Sequence, residues 1–216
     1  MSEEGLPDGH ETADHGGRRA RRHDPRRRER ILDAALEVLV ADGVAGLTHR
    51  KVASHADVPL GSVTYHFASL AELRARAFAW YVEQRTAEYE ALFTEVTTRE
   101  DLIDVLVDTV QGVPSRHRSA VLGFELHLAA LRDPALRALT QEWTRAGRAV
   151  LARFTGLETA ARLDALLEGL IMHALLSTDR EPREATRAAI VQTLGAAMEP
   201  QQGEHHADPL TRAQGQ

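Results

Sequence analysis

The sequence predicts an all-α protein of about nine helices, in which a three-helix N-terminal unit with two short helices precedes a C-terminal helical bundle. Apolar residues recur at spacings of three and four through most of the 216 residues, which is the period of an amphipathic helix. No stretch shows the sustained apolar–polar alternation that a half-buried strand requires. Gly and Pro residues interrupt the helical pattern near 112–114, 133–134, 156 and 181–182.

The first two helices have start and stop signals in the sequence. A helical apolar stripe follows Pro25, a residue suited to a first turn, and Gly43 is suited to the position after a helix end. Thr48 is placed to cap a second, short helix, because its hydroxyl can accept a hydrogen bond from the first turn. The residues predicted to face inward are Ile31, Leu32, Ala35, Leu36, Val38 and Leu39 in the first helix, and Val52, Ala53 and Ala56 in the second.

A turn and two further helices follow. Residues 57–59 form the turn, and the third helix begins near Leu60. Ser69 caps a fourth helix, predicted over 70–93, with Glu72 at the capping-box position. Two short helices joined by a turn, after a longer helix, are the components of a helix-turn-helix. The second short helix of that motif lies in the major groove of DNA.

The composition of the third helix fits a groove-binding role better than a purely structural one. Val58, Val63 and Phe67 are predicted to be buried against the first helix, and Gly61 lets the chain approach a sugar-phosphate backbone closely. Hydroxyl and imidazole groups can donate to phosphates, and small or apolar groups can contact a thymine methyl. The residues predicted on or beside the exposed face are Leu60, Ser62, Thr64, Tyr65 and His66.

Charge is distributed unevenly along the chain. Residues 18–80 carry a net charge of +5, whereas residues 1–17 carry -5 and residues 81–216 carry -6. Eight of the arginines of the basic region fall within 18–30. A basic third joined to an acidic remainder suggests a phosphate-binding module attached to a second unit. The alternative is that the arginine-rich stretch is only a solvated, disordered tail.

The segment LTHRKVASHADVPLGSVTYHFASLAEL resembles the DNA-binding motif of TetR-family transcriptional regulators. The shared features are the apolar-Thr pair and the Val-Ala pair of the second helix, the Ala-x-Val turn, and Gly61-Ser62 followed by Tyr65-His66-Phe67. The Ser-x-x-Glu-Leu start of the fourth helix completes the match, which covers about 26–75. Beyond that range, the resemblance rests on the helical architecture.

The resemblance implies roles for individual residues. Tyr65 and His66 would contact phosphates, Thr48 and Ser62 would cap or donate at helix N-termini, and Thr64 would lie near base edges. Ala68 and Leu70 stand where many members carry Lys, so two phosphate contacts would be absent, and the N-terminal arginines would compensate. The predicted DNA-binding residues are Arg26, Thr48, His49, Arg50, Leu60, Gly61, Ser62, Thr64, Tyr65 and His66.

The two last predicted helices are candidates for a dimer interface. Helix-turn-helix proteins read pseudo-palindromic sites as dimers, and the resemblance implies dimerisation through an intersubunit four-helix bundle. The helix over 159–178 has an apolar seam with alternating spacings of three and four, and the helix over 183–198 has two apolar faces. The alternative is that both helices only complete an intrachain core. The predicted interface residues are Leu163, Leu166, Leu170, Ala189 and Leu194.

The resemblance also implies an inducer site within the C-terminal bundle. The site is expected to be mostly apolar, with a hydrophobic or amphipathic small molecule as its ligand. Each candidate has an alternative role: a Met or aromatic residue in the core, or a hydrogen-bonded histidine at an interface. The predicted ligand-binding residues are Phe124, His127, Leu128, Trp143, Met172 and His173.

These observations predict four regions: a disordered arginine-rich arm over 1–24, a helix-turn-helix domain over 25–70, a ligand-binding and dimerisation domain over 71–198, and a disordered tail over 199–216. The predicted function is a ligand-responsive repressor that leaves a palindromic operator when its ligand binds. The other hypothesis is a helical protein–protein adaptor, or an architectural DNA binder without a ligand.

Catalysis is not expected, and neither a cofactor nor a metal is predicted. The chain has no cysteine and none of the GxSxG, HExxH, P-loop or dinucleotide glycine patterns. Residues 204–208 could hold a metal only loosely, in a tail predicted to be disordered. No apolar run reaches about 18 residues, and the acidic N-terminus does not resemble a signal peptide, so we expect a cytoplasmic protein.

Overall fold

The computed structural model describes residues 26–179 and 181–195, and the predictions for 1–24, 199–216 and 204–208 lie outside them. Within the described ranges the regular structure is helical, without strands, as predicted. No helix there combines the length and apolarity of a bilayer span. The helices are α1 Arg27–Gly46, α2 His49–His55, α3 Leu60–His66, α4 Leu70–Leu92, α5 Arg99–Gln111, α6 His117–Ala130, α7 Pro134–Thr155, α8 Leu157–Leu176 and α9 Arg183–Leu194, with a 3-10 turn at Val113–Arg116.

Both predicted N-caps are confirmed. The Thr48 hydroxyl accepts a hydrogen bond from the Lys51 backbone N–H at 3.2 Å, and the Ser69 hydroxyl accepts one from the Glu72 N–H at 3.1 Å. The Glu72 carboxylate accepts from the N–H of Ala68 at 2.9 Å, one residue before the usual partner in a capping box. These caps fix the first turns of α2 and α4, on either side of α3.

Two helix ends differ from the predictions, and a glycine with positive φ lies at each. Gly43 has φ +66, but three more residues continue α1 beyond this break to Gly46. The last helix was predicted to extend to 198, whereas α9 ends at Leu194 because Gly195 has φ +56. A residue without a Cβ adopts this left-handed conformation most readily, which explains why glycine occupies both positions.

The first hydrophobic core crosses the predicted boundary at residue 70. It joins α1, α2 and α3 to the N-terminal part of α4, and Leu122 and Leu126 of α6 also belong to it. Helix α7 adds Leu136. The helix-turn-helix is therefore packed on elements that belong to the C-terminal region of the sequence, so a change in α4 or α6 can reach the first three helices through direct contact.

The second core lies at the other end of the molecule. It contains buried residues of α5, α8 and α9 together with Phe93 and the C-terminal part of α7. Helices α4 and α7 contribute residues to both cores, and together with α6 and α8 they line the cavity described below.

Candidate DNA-binding surface and ligand cavity

Helix α3 buries one face and presents the other. Val63 is fully buried and Phe67 is 1% exposed, whereas Tyr65 is 85% exposed and Leu60 is 44% exposed. Val58 is partly buried against the same core. The guanidinium of Arg28 lies over the Phe67 ring, 5.5 Å from its centroid. This is the arrangement that the alternation of residue types predicts: an apolar anchor below, and the Leu60 and Tyr65 side chains on the outer surface.

The remaining α3 residues define the chemistry of the outer surface. Thr64 is exposed, and its hydroxyl donates to the carbonyls of Leu60 and Gly61 at 3.4 and 3.3 Å. Ser62 and His66 are half-buried beside it. A Cβ on Gly61 would meet no atom within 4 Å, so packing inside the protomer does not require glycine there. The open space beside Gly61 is consistent with the close approach of a second molecule at this position.

The second helix contributes fewer accessible groups than predicted. Arg50 and Arg26 are exposed, and the Thr48 side chain is engaged as the α2 cap. The His49 Nε2 atom is buried and has no hydrogen-bond partner among the described residues. The buried Nε2 atom therefore does not reach a phosphate in this structure, and the assignment of His49 to the DNA-binding surface stays a prediction.

A cavity of about 180 Å³ is lined by residues of α4, α5, α6, α7, α8 and the 3-10 turn. Its walls include five aromatic side chains and four charged ones, contributed by different helices. The aromatic residues are Tyr81 and Tyr89 of α4, Phe124 and His127 of α6, and Trp143 of α7. The charged residues are Arg85, Arg116, Asp164 and Glu168.

The aromatic residues of the cavity pack on one another. The His127 ring stacks on Trp143, with centroids 5.7 Å apart and planes at 17°, and Trp143 meets Tyr81 edge-on at 5.6 Å. The Tyr81 hydroxyl donates to the Ser119 carbonyl at 2.7 Å. Burial raises the pKa of Tyr81 to about 12 and also raises the pKa of Tyr89, so both phenols are neutral at neutral pH.

A glycine brings α6 close to these rings. A Cβ on Gly123 would lie 3.2 Å from the Tyr81 hydroxyl oxygen and 3.4 Å from the Trp143 ring. These distances are tight for a methyl group, so glycine at 123 permits the close approach of α6 to α4 and α7.

The structure brings together half of the predicted ligand-binding residues. Phe124, His127 and Trp143 line the cavity, whereas Leu128, Met172 and His173 do not. Leu128 is 55% exposed, Met172 is 40% exposed and His173 is also exposed, so the structure places these three residues outside this cavity. These residues were predicted from their positions along the two helices. Their side chains lie on a face of the helix that does not line the cavity.

Sequence reasoning missed the polar part of the cavity. The walls are mostly apolar, in line with the expectation, and they also include two arginines and two acids. Helical spacing was the available signal: Tyr81, Arg85 and Tyr89 occur every four residues on α4, and Asp164 and Glu168 are four apart on α8.

The predicted dimer residues divide into two groups. Leu163 and Leu194 lie inside the second core of the same protomer, with 0% and 1% exposure, so their assignment to the interface is wrong. Both helices bury these leucines against α5 and each other instead. Leu166, Leu170 and Ala189 are half-buried. The exposed large apolar side chains of α8 and α9 are Leu157, Met172, Leu176 and Val191.

Comparisons with known proteins agree with this architecture. Residues 31–77 match the family described as bacterial regulatory proteins of the tetR family, and residues 97–196 match the tetracyclin repressor-like C-terminal domain. A TetR-family protein of Streptomyces coelicolor A3, SCO1917, has a structure with a TM-score of 0.67 and 39% identity; the match covers 78% of this chain and 98% of that one. The chain belongs to the TetR family. It is a helix-turn-helix transcriptional regulator.

Two further similarities concern a solved structure and a sequence relative. The multidrug binding protein EbrR, in its complex with ethidium, is 38% identical with a TM-score of 0.67, and the match covers 77% of this chain and 98% of that one. The regulator CymR of Pseudomonas putida is 30% identical over 122 residues, which is 56% of this chain and 60% of CymR. Family membership favours a regulator over the adaptor or the architectural binder.

Proposed function

We propose that the protein is a homodimeric repressor that binds a palindromic operator through two α3 helices and leaves it when an amphipathic small molecule enters the cavity. The observation that carries this proposal is the double role of α4 and α6. Both helices line the cavity, and both pack against the helix-turn-helix through the first core. Because the two sites share these elements, a ligand can influence the position of α3.

The outer surface of α3 supplies the proposed DNA contacts. Tyr65 and His66 donate to phosphates, and exposed Arg50 and Arg26 add positive charge nearby. The Leu60 side chain and the Thr64 methyl group are suited to thymine methyl contacts, since the Thr64 hydroxyl already donates to its own helix.

Polar contacts from α6 connect the cavity to α1. The Glu125 carboxylate accepts from the Val44 N–H at 3.3 Å, directly after the break at Gly43. The Arg118 Nε lies 2.8 Å from the Glu37 carboxylate. Because α6 also carries Phe124 and His127 into the cavity, a shift of this helix on ligand binding changes its contacts with α1.

Helix α4 provides a second connection between the cavity and α1. The Trp80 Nε1 donates to the Asp33 carboxylate of α1 at 2.8 Å. In a dimer that binds DNA, the two α3 helices are separated by about 34–36 Å, one turn of the duplex. A ligand that favours another separation reduces DNA binding by no more than its differential affinity for the two states.

Dimerisation is proposed through the outer faces of α8 and α9. The exposed Met172, Leu176 and Val191 replace the buried Leu163 and Leu194 of the sequence-based prediction. Half-buried Leu166, Leu170 and Ala189 lie on the same two helices and can add to the contact. A TetR-family regulator of this kind acts on DNA in the cytoplasm, which is the proposed location.

The similarity to EbrR supports an aromatic ligand. EbrR structures similar to this chain contain proflavin, ethidium or malachite green. The cavity described here has five aromatic residues on its walls. We infer that it accepts aromatic compounds of comparable size.

The proposal is tested by selecting bound sites from random duplex DNA with the purified full chain, then footprinting the selected sequence. We expect protection of a short palindrome by two protomers, and loss of that protection when an aromatic ligand is added. Uniform coverage without a preferred sequence would instead support an architectural DNA binder. A palindrome whose protection survives every aromatic compound tested would contradict the ligand response alone.

A further inference from the structure

We propose that the cavity selects aromatic cations over neutral aromatic compounds, and that Glu168 is the residue that recognises the positive charge. This inference rests on the proposed function, because it assumes that the cavity is the ligand site. It adds the charge of the ligand and the residue that determines this specificity.

The two acids of the cavity wall differ in their partners. Asp164 accepts from the Arg148 Nε at 2.7 Å, so its charge is neutralised within the protein. Among the described residues, the basic group within 4.0 Å of the Glu168 carboxylate is His127, whose Nε2 lies 3.8 Å from Oε1. That separation is too long for a hydrogen bond, and the imidazole attracts the carboxylate only when it is protonated.

The side chains of the two arginines of the cavity wall are both engaged by groups of the protein. Arg85 pairs with Glu88 on the same helix. The Arg116 guanidinium donates to the backbone carbonyls of Asp108 and Thr109 at 2.9 and 3.0 Å. These carbonyls lie near the C-terminus of α5, where the helix dipole favours a positive charge. Among the described residues of the cavity wall, Glu168 is therefore the acid that no arginine or lysine side chain pairs with.

Aromatic rings next to this acid favour the same class of ligand. His127 lies between Glu168 and Trp143, since it approaches the acid at 3.8 Å and stacks on the indole. Neutral aromatic faces attract cations, and the attraction is greatest where water is displaced. A flat cation can thus pack on the rings while Glu168 balances its charge, whereas a neutral ligand gains only the packing.

The pH dependence of binding follows from the groups around Glu168. Burial raises its pKa, the charge of His127 from α6 lowers it, neighbouring Asp164 raises it, and Arg148 from α7 lowers it. A bound cation favours the ionised form of Glu168, so binding releases a proton where Glu168 is protonated in the free protein. The affinity for a permanently charged cation is therefore expected to rise with pH as Glu168 loses its proton.

The test uses the full chain without DNA and two fluorescent polyaromatic probes: ethidium, a permanent cation, and N-phenyl-1-naphthylamine, which is neutral. We expect E168Q to weaken ethidium binding about tenfold or more, the size of effect typical of a charge-assisted contact. Binding of the neutral probe should change less than about twofold. The matched control is E158Q, because Glu158 lies on the same helix, pairs with Arg162 and does not line the cavity.

A second measurement follows ethidium affinity between pH 5 and pH 8. We expect a rise with pH in the wild type and in E158Q, and a smaller rise in E168Q. Equal ethidium affinity in E168Q and E158Q would overturn the inference while leaving the proposed function intact, provided that the neutral probe binds. If neither probe binds the wild type, the cavity is not a site for aromatic ligands, and the inference fails together with the proposed ligand response.

Discussion

The DNA-binding helix and the cavity use their side chains in different ways. On α3, residues that hold the helix and residues that face outward alternate along seven positions, as the buried Val63 and the exposed Tyr65 show. In the cavity, the side chains come from several helices and pack on one another, so Trp143 contacts both Tyr81 and His127. A substitution on the outward face of α3 is therefore expected to change binding without changing stability. A substitution of a packed cavity residue is expected to change both.

This difference has an energetic origin. Removal of an exposed side chain leaves the core intact, so its cost appears in binding. Removal of a packed cavity side chain opens a void or leaves a buried polar group without a partner. Tyr81 illustrates the second case, because it belongs to the first core and also donates its hydroxyl to the Ser119 carbonyl beside the cavity.

The largest expected effect concerns the anchor of α3. F67A removes a ring that is 1% exposed and lies under the Arg28 guanidinium. We expect the free energy of unfolding to fall by about 3–5 kcal/mol, the usual cost of truncating a buried phenylalanine, as measured by urea denaturation without DNA. The control is Y65A, two residues earlier, which should change stability by less than about 0.5 kcal/mol. Similar losses in the two variants would break the contrast between the faces of α3.

A smaller effect is expected for the outward face. Y65A should weaken operator binding by about 10–100-fold, because a dimer loses two phosphate contacts, each contributing about 1 kcal/mol or more. Fluorescence anisotropy with the selected operator measures this change. Y65F tests the role of the hydroxyl, since it keeps the ring and removes the donor. Operator affinity equal to that of the wild type in Y65A would show that the exposed aromatic residue does not contact DNA.

The same contrast explains what the sequence predicted and what it did not. The helix-turn-helix was predictable because its signals are local: Thr48 and Ser69 cap the flanking helices, and the alternation around Val63 and Phe67 defines the two faces. The order of the helices was predictable for the same reason, since Gly and Pro residues mark their ends.

The cavity was only partly predictable because its residues are distant in sequence. Phe124 and His127 share one helix, but Glu168 reaches the same space from α8. A helical apolar pattern also cannot distinguish a residue packed within one chain from a residue that contacts a second chain. Leu163 and Leu194 were therefore assigned to the dimer interface, although both lie in the second core.

The smallest expected effect concerns the connection between the two regions. The Glu125 carboxylate of α6 accepts from the Val44 N–H of α1 at 3.3 Å, and it does not line the cavity. In E125A we expect operator affinity without ligand to change less than about threefold. The ratio of operator affinities without and with an aromatic ligand should fall by about 3–10-fold, within the range of effects seen for residues that couple distant sites.

Operator anisotropy with and without saturating ligand measures this ratio, and E90A is the control because Glu90 is an exposed acid on α4 outside the cavity. A reduced ratio in E125A alone would show that ligand binding reaches α3 through the contact between α6 and α1. An unchanged ratio would assign the coupling to α4, whose Trp80 donates to Asp33 of the same helix α1. A residue that couples two sites acts through the free-energy difference between the ligand-bound and ligand-free states. Its removal is therefore expected to change the ratio of operator affinities more than the operator affinity of either state.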